Sequence, residues 1–246
     1  PAYRGRMEYV CLDCGARYPG DDLLYTCPQC GGVFLLENLD FAKLKERSGQ
    51  EWRQVFDDRC ATRVTALKGI FRYYELLAPL LDQDDIVYLG EGITPIVEAA
   101  PALRDQVGVS FAYKNDGQNP SASFKDRGMA CAFSYLKWLC RRNKWDEVLT
   151  VCASTGDTSA AAALYASYVG APLKSVVLLP HGKVTPQQLA QPLGSGATVL
   201  ELPGVFDDCM KVVELLAENY RVALLNSKNG WRILGQESYA YEVAQW

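Results

Sequence analysis

The sequence predicts an α/β protein, a parallel sheet with helices on both faces, preceded by a small zinc ribbon and a helical segment. Three observations carry that prediction. From Val148 onward, short runs rich in β-branched residues alternate with helix-period stretches, the signature of repeated β-α units. Near the start, four cysteines fall into two Cys-x-x-Cys pairs. Between these regions, apolar residues recur at three- and four-residue spacing. The 246 residues accordingly divide into 1–38 (ribbon), 39–110 (helical and connecting segment) and 111–246 (α/β domain).

Composition narrows the class. Hydrophobic residues make up 49% and charged residues 22%, ordinary values for a globular chain able to bury a sizeable core. A formal net charge of −4 provides no general basic face, so neither nucleic acid nor anionic membrane is expected as a partner, and small-molecule chemistry is favoured. The opening residues lack the basic start and apolar run of a signal peptide, and no apolar stretch approaches the roughly 18 residues of a membrane span, so a cytoplasmic protein is expected. His181 is the only histidine. A Ser-His or Cys-His hydrolase is thereby poorly supported, and a His-rich metal centre is excluded.

Cys11, Cys14, Cys27 and Cys30 read as the two knuckles of a four-cysteine zinc ribbon, with Gly15, Gly31 and Gly32 letting the backbone curl beneath the sulfurs. Four thiolates leave no open coordination position, so the zinc is expected to be structural. From Leu39 to about Leu81 the spacing of Phe41, Leu44, Trp52, Val55, Phe56, Phe71, Tyr74, Leu77 and Leu81 predicts helix. Asp82, Asp84 and Asp85 read as a solvated turn before a strand-like Ile86-Val87-Tyr88-Leu89, and Leu89 to Pro95 as a glycine-broken turn. Val109 to Tyr113 reads as a short strand delivering the polar loop Asn115 to Asn119.

The next helix is the pivot. Ser123 followed by Asp126 has the form of a capping box, which predicts a helix with Ser123 as N-cap, Lys125 in the first turn and an end near Arg142. A cation is disfavoured at that end of the helix dipole, and Arg127 nearby adds to the pressure on Lys125 to lose its proton. A neutral lysine amine is a nucleophile toward carbonyls. Beyond it, strands are expected over 148–152, 175–179, 197–202 and 222–226. The intervening helices are expected over 158–169, from Thr185-Pro186, over 206–219 and from Arg232.

Ligands of such sheets sit at the carboxyl ends of the strands. After the first strand, Ser154, Thr155, Gly156, Asp157 and Thr158 form a small hydroxyl-rich loop at a helix start, which fits a cradle for a carboxylate or phosphate and equally fits plain capping by Asp157 or Thr158. After the fourth, Asn226, Ser227 and Arg232 fit a phosphate grip, or a capped helix with an exposed arginine.

Gly90-Glu-Gly-Ile-Thr-Pro95, Asn119-Pro-Ser-Ala-Ser-Phe-Lys-Asp-Arg-Gly128, Cys152-Ala-Ser-Thr-Gly-Asp-Thr-Ser-Ala160 and Gly235-Gln236 together resemble threonine synthase, a pyridoxal-phosphate enzyme of the tryptophan-synthase-β fold type. The resemblance is nearest to the plant-like branch, which shares an Asp at the position of Asp157. It implies that 111–246 is the pyridoxal-phosphate domain and that Lys125 forms the Schiff base and moves protons. It further implies that Phe124 flanks the cofactor ring and that Asp157 lies near the cofactor's 3′-oxygen. Ser154, Thr155, Gly156 and Thr158 would hold the substrate carboxylate, and Asn226, Ser227 and Arg232 the substrate phosphate. The implied reaction converts O-phospho-L-homoserine and water into L-threonine and phosphate, with a homodimer as one assembly. The family's carboxyl-terminal half, with its Gly-Gly-Asn-like loop for the cofactor phosphate, has no counterpart in these residues. A serine/threonine dehydratase or another β/γ-replacing enzyme on the same cofactor is the alternative, as is an inactive fragment bearing a ribbon interaction module.

Overall fold

The computed structural model describes residues 3–246. The first sheet is antiparallel, β1 (Met7–Cys11), β2 (Arg17–Pro19) and β3 (Phe34–Asn38) in the order β2-β1-β3. Its inward residues do not form a separate core. Tyr9, Cys11, Cys27 and Phe34 are buried in one continuous cluster with the main domain.

The 39–81 stretch is not a run of regular helix. It holds α1 (Phe41–Leu44), α2 (Gly49–Asp58) and α3 (Tyr74–Leu77), with short 3-10 turns between. The apolar periodicity reports burial all the same, for Phe71, Tyr74, Leu77 and Leu81 are fully enclosed. Ile86 to Leu89 forms no strand; the Val87 N–H donates to Ser134 Oγ at 2.8 Å. Asp85 is not solvated. It is buried and accepts from the Arg141 guanidinium at 2.6 Å, which also binds Asp82. An arginine in the last turn of the following helix has thus turned an acidic loop into an anchor.

A two-stranded antiparallel pair, β4 (Ile96–Glu98) and β5 (Ala112–Lys114), flanks α4 (Pro101–Val107). The strand expected over 109–113 therefore begins later and is short. Then come α5 (Lys125–Asn143), β6 (Val148–Ala153), α6 (Asp157–Val169), β7 (Leu173–Pro180), α7 (Pro186–Gly194), β8 (Thr198–Leu202), α8 (Phe206–Asn219), β9 (Val222–Leu224) and α9 (Gly230–Gln245). The four strands form one parallel sheet in the order β8-β7-β6-β9, with β6 central and almost wholly buried. On one face, Cys209 and Val213 of α8 pack on Val151, Leu178 and Leu224. On the other lie α5, α6 and α9, whose side chains make up the larger core.

Two glycines set how closely α5 and α9 cross. A Cβ on Gly128 would stand 2.9 Å from the Arg232 carbonyl, and one on Gly235 would stand 2.4 Å from the Arg127 carbonyl. The backbones therefore touch, and Arg127 and Arg232 enter the interior from adjoining helices.

Candidate active site

Lys125 opens α5, as expected, but the expected capping box is not the arrangement found. Ser123 Oγ accepts from the Lys125 N–H at 3.2 Å, while the Asp126 carboxylate reaches past Ser123 to the Ser121 N–H (2.7 Å) and hydroxyl (2.8 Å). The reason is the turn before the helix, where Ala122 adopts a φ of +61°, a left-handed conformation that folds Ser121 back toward Asp126. Ser123 Oγ also donates to Asp157 Oδ2 at 3.2 Å, linking the start of α5 to the start of α6.

The Lys125 ammonium is half-buried, 3.9 Å from the centroid of the Phe124 ring, whose side chain is 44% exposed. Burial lowers its pKa first and the Arg232 charge second, with Asp157 pulling the other way. The cation that acts on Lys125 is thus Arg232 and not the neighbouring Arg127. Arg127 is fully occupied. It donates to both oxygens of Asp116 and both of Glu242, and to Ser238 and Thr94. Lys114 Nζ adds a 2.6 Å contact to Glu242, whose Oε1 also accepts the Ile93 N–H at 2.8 Å. Against the burial that would raise them, these cations hold Asp116 and Glu242 below the usual carboxylate range. Ile93 needs such an anchor, because a φ of +52° is strained for a β-branched residue.

Arg232 stands differently. It is 1% exposed, one guanidinium N–H donates to the Leu225 carbonyl at 2.5 Å, and its Nε has no partner among the described residues. No carboxylate pairs with it among the described residues. Burial accordingly pulls its pKa below the ordinary value. The exposed-arginine alternative is overturned, since the Asn229 cap turns Arg232 inward from the first turn of α9.

The other expected site residues lie at the same end of the sheet. Ser154, Thr155, Gly156, Asp157 and Thr158 follow the last residue of β6, and Gly156, rather than Asp157 or Thr158, is the N-cap of α6. Asn226 is more committed than expected: its carboxamide accepts from the Ala153 N–H (3.1 Å) and donates to the Ala153 carbonyl (2.7 Å). After the Leu225 N–H donates to the Val151 carbonyl, the Asn226 side chain thereby carries the link between the β6 and β9 segments one step further. Ser227 is exposed.

The network around Arg127 went unread in the sequence, because Glu242 lies 115 residues away and carries no local signal. Glu91 was missed too. It is wholly buried, accepts from Tyr165 Oη at 2.7 Å and from the Leu89 N–H at 2.9 Å, and burial pushes its pKa up to about 7.

The four knuckle cysteines are free thiols whose sulfurs all lie within 4.8 Å of one another. The Cys11–Cys30 and Cys14–Cys27 sulfur distances are 3.5 and 3.7 Å, against about 3.8 Å between ligands of a tetrahedral zinc–thiolate site. Each knuckle closes the same way: Gly15 N–H to the Cys11 carbonyl, Gly31 N–H to the Cys27 carbonyl, with φ of +72° and +74° at the glycines.

The chain is similar to known proteins in sequence and in fold. Threonine synthase of Methanocaldococcus jannaschii is 39% identical over 239 residues, covering 96% of this chain and 53% of that protein. The chloroplastic threonine synthase 2 of Arabidopsis thaliana is 36% identical over 236 residues, covering 93% and 44%. The chain thus spans about half the length of the curated relatives it matches. Among solved structures, threonine synthase from Escherichia coli superposes with a TM-score of 0.67 at 21% identity, covering 97% of this chain and 54% of that one, a likeness of fold. The profile of the pyridoxal-phosphate dependent enzymes matches residues 87–246, which take in Lys125, both strand-end loops and Arg232. With a half-buried lysine of lowered pKa at the carboxyl ends of a parallel sheet, this chain belongs to the pyridoxal-phosphate dependent enzyme family.

Proposed function

We propose that this chain carries the lysine-bearing part of a threonine synthase, acting on O-phospho-L-homoserine and water to give L-threonine and phosphate. The observation that carries the substrate assignment is Arg232, a buried guanidinium with no carboxylate partner among the described residues, close enough to Lys125 to lower its pKa. Burying a cation without a counter-charge is unfavourable, and a dianionic phosphate ester would relieve that. A dehydratase acting on an uncharged hydroxyl needs no such group.

The residues fit pyridoxal phosphate. Lys125 offers a primary amine whose proton is easily lost, Phe124 an exposed aromatic face beside it, and Asp157 a carboxylate tied to Ser123. When bound, the cofactor withdraws electron density from the substrate's α-carbon. Lys125, once free as the amine, takes the α-proton and returns a proton later. Ser154, Thr155, Gly156 and Thr158, at the N-terminus of a 13-residue helix, hold the substrate carboxylate against its first-turn N–H groups. Arg232 and Ser227 hold the phosphate as it leaves, and Asn226 keeps their loop fixed to the end of β6 while its remaining amide N–H stays available. Cys11, Cys14, Cys27 and Cys30 hold one structural zinc. A cytoplasmic location and a homodimer complete the reading.

Steady-state kinetics of the natural protein containing this chain test the assignment. In Arg232→Lys, kcat/KM for O-phospho-L-homoserine falls about 100-fold or more, because an ammonium cannot reproduce a guanidinium's paired bonds. An unchanged value removes Arg232 from the site. Metal analysis should find about one zinc per chain. A fully folded protein without zinc removes the metal.

A further inference from the structure

The first turn of α9, which carries Arg232, is seated between the end of the parallel sheet and the ribbon. On the sheet side the Asn229 side chain accepts from the Arg232 N–H at 3.0 Å and donates to the Leu224 carbonyl at 2.7 Å. On the ribbon side a Cβ on Gly230 would stand 3.4 Å from the Phe34 carbonyl and 3.6 Å from the Tyr9 ring, so the turn lies directly on β1 and β3. Trp231 completes that seat. It is buried, stacks on Tyr135 with ring centroids 4.3 Å apart, and donates from Nε1 to Tyr9 Oη at 2.9 Å.

The bond to Tyr9 begins a chain that can run in one direction only, because an indole N–H donates and a backbone carbonyl accepts. Between those ends, Tyr9 Oη accepts from Trp231 and donates to Tyr135 Oη at 3.4 Å, and Tyr135 Oη donates to the Asp22 carbonyl at 2.6 Å. Each hydroxyl thus has one bond in and one bond out, and all three side chains are buried. Met7, Tyr9 and Cys11 lie on the buried face of β1, so the strand that offers the hydroxyl is the one that ends in the first knuckle. Tyr9→Phe fills the same space and leaves the indole N–H without its acceptor. The turn regains an acceptor only by moving, and Arg232 moves with it.

We propose that Tyr9 is a positioning residue for the substrate phosphate: through Trp231 it fixes the first turn of α9, and with it the direction in which Arg232 presents its guanidinium. The Leu225 carbonyl, which accepts from one Arg232 N–H, holds the guanidinium from the sheet side. The inference rests on the assignment of Arg232 to the substrate phosphate. It gives the ribbon a part in substrate binding without any contact with the substrate. It also places one determinant of the site outside the region matched by the family profile.

The test measures steady-state kcat/KM for O-phospho-L-homoserine on the natural protein containing this chain, loaded with pyridoxal phosphate. The parent is compared with Tyr9→Phe, Trp231→Phe, Arg232→Lys and the Tyr9→Phe, Arg232→Lys double variant. Tyr9→Phe keeps the ring and removes only the hydroxyl, so kcat/KM falls about tenfold while cofactor absorbance and zinc content stay as in the parent. Trp231→Phe removes the donor of the same bond and lowers kcat/KM by at least as much. On the Arg232→Lys background Tyr9→Phe has less than about a twofold further effect, because the guanidinium it positions is gone, whereas a general loss of stability acts on both backgrounds alike. If Arg232→Lys lowers kcat/KM and neither Tyr9→Phe nor Trp231→Phe does, the inference is overturned and the Arg232 assignment stands. If none of the three lowers it, the Arg232 assignment has failed and the inference fails with it. An equal loss from Tyr9→Phe on both backgrounds, or a loss accompanied by reduced cofactor absorbance, makes the hydroxyl a general packing group and overturns the inference.

Discussion

Arg127 and Arg232 lie on two helices that touch at Gly128 and Gly235, and both guanidinium groups are enclosed. Arg127 has two carboxylates, two hydroxyls and a pKa raised by them against burial. Arg232 has one backbone carbonyl, an unpartnered Nε and a pKa lowered by burial. The same side chain in the same kind of environment has therefore been given opposite tasks. One is a completed knot that ties α5, α9 and the strained Ile93 turn together. The other has no carboxylate partner among the described residues, and in the function proposed above the substrate phosphate is that partner.

The largest test of that difference is one substitution made at both positions. Met keeps much of the volume and removes the charge. Arg127→Met strands buried Glu242 and Asp116, so unfolding in urea should show a loss of about 3–5 kcal/mol. Arg232→Met removes an uncompensated cation and should leave stability within about 1 kcal/mol of the parent, or raise it. Equal losses at both would erase the distinction.

The same contrast exists among the carboxylates and gives opposite pH dependences. Glu242, held down by Arg127 and Lys114, contributes stability that is present above its ordinary pKa and lost as pH falls through the depressed one. Glu91 has no cation beside it among the described residues; its pKa rises from 4.5 to about 7 by burial, so its contribution is present in full below 4.5 and lost as pH rises through about 7. That interval corresponds to about 3 kcal/mol. Glu91→Gln should flatten the decline between pH 5 and 8, measured by urea unfolding across that range. A slope that persists unchanged would assign it elsewhere, with Asp126, raised to about 6, the next group to examine.

A smaller effect tests the link between the two sites at the start of α5. Ser123→Ala removes the oxygen that joins the Lys125 N–H to Asp157, and should lower stability by about 1 kcal/mol. It should also shift the visible absorbance pH profile of the cofactor-loaded protein, which a merely capping role would leave in place.

How much of this was legible follows from distance along the chain. The alternation after Val148 is local, since each strand, cap and glycine stop is written within a few residues, and β6 to α9 fall close to their expected bounds. Over 39–81 the periodicity detects burial and not regular helix; one contact there that the sequence does not display is the close approach of Gly69 to the Glu91 carbonyl. Lys125 was legible from a contiguous motif. The cation that lowers its pKa was assigned to the wrong arginine, because Arg127 is adjacent in sequence and its neutralisers, Asp116 and Glu242, come from elsewhere in the chain. That Arg232 lacks a carboxylate among the described residues is a fact about space, which no local pattern encodes.

The proposed site turns on Lys125 as the residue that holds the cofactor. Borohydride reduction of the natural, cofactor-loaded protein, followed by digestion and mass spectrometry, tests this directly. The reduced cofactor's mass should appear on the peptide containing Lys125 and on no other, and Lys125→Ala should abolish it. Recovery of that mass on a different lysine would contradict the site described here, and with it the meaning given to Arg232.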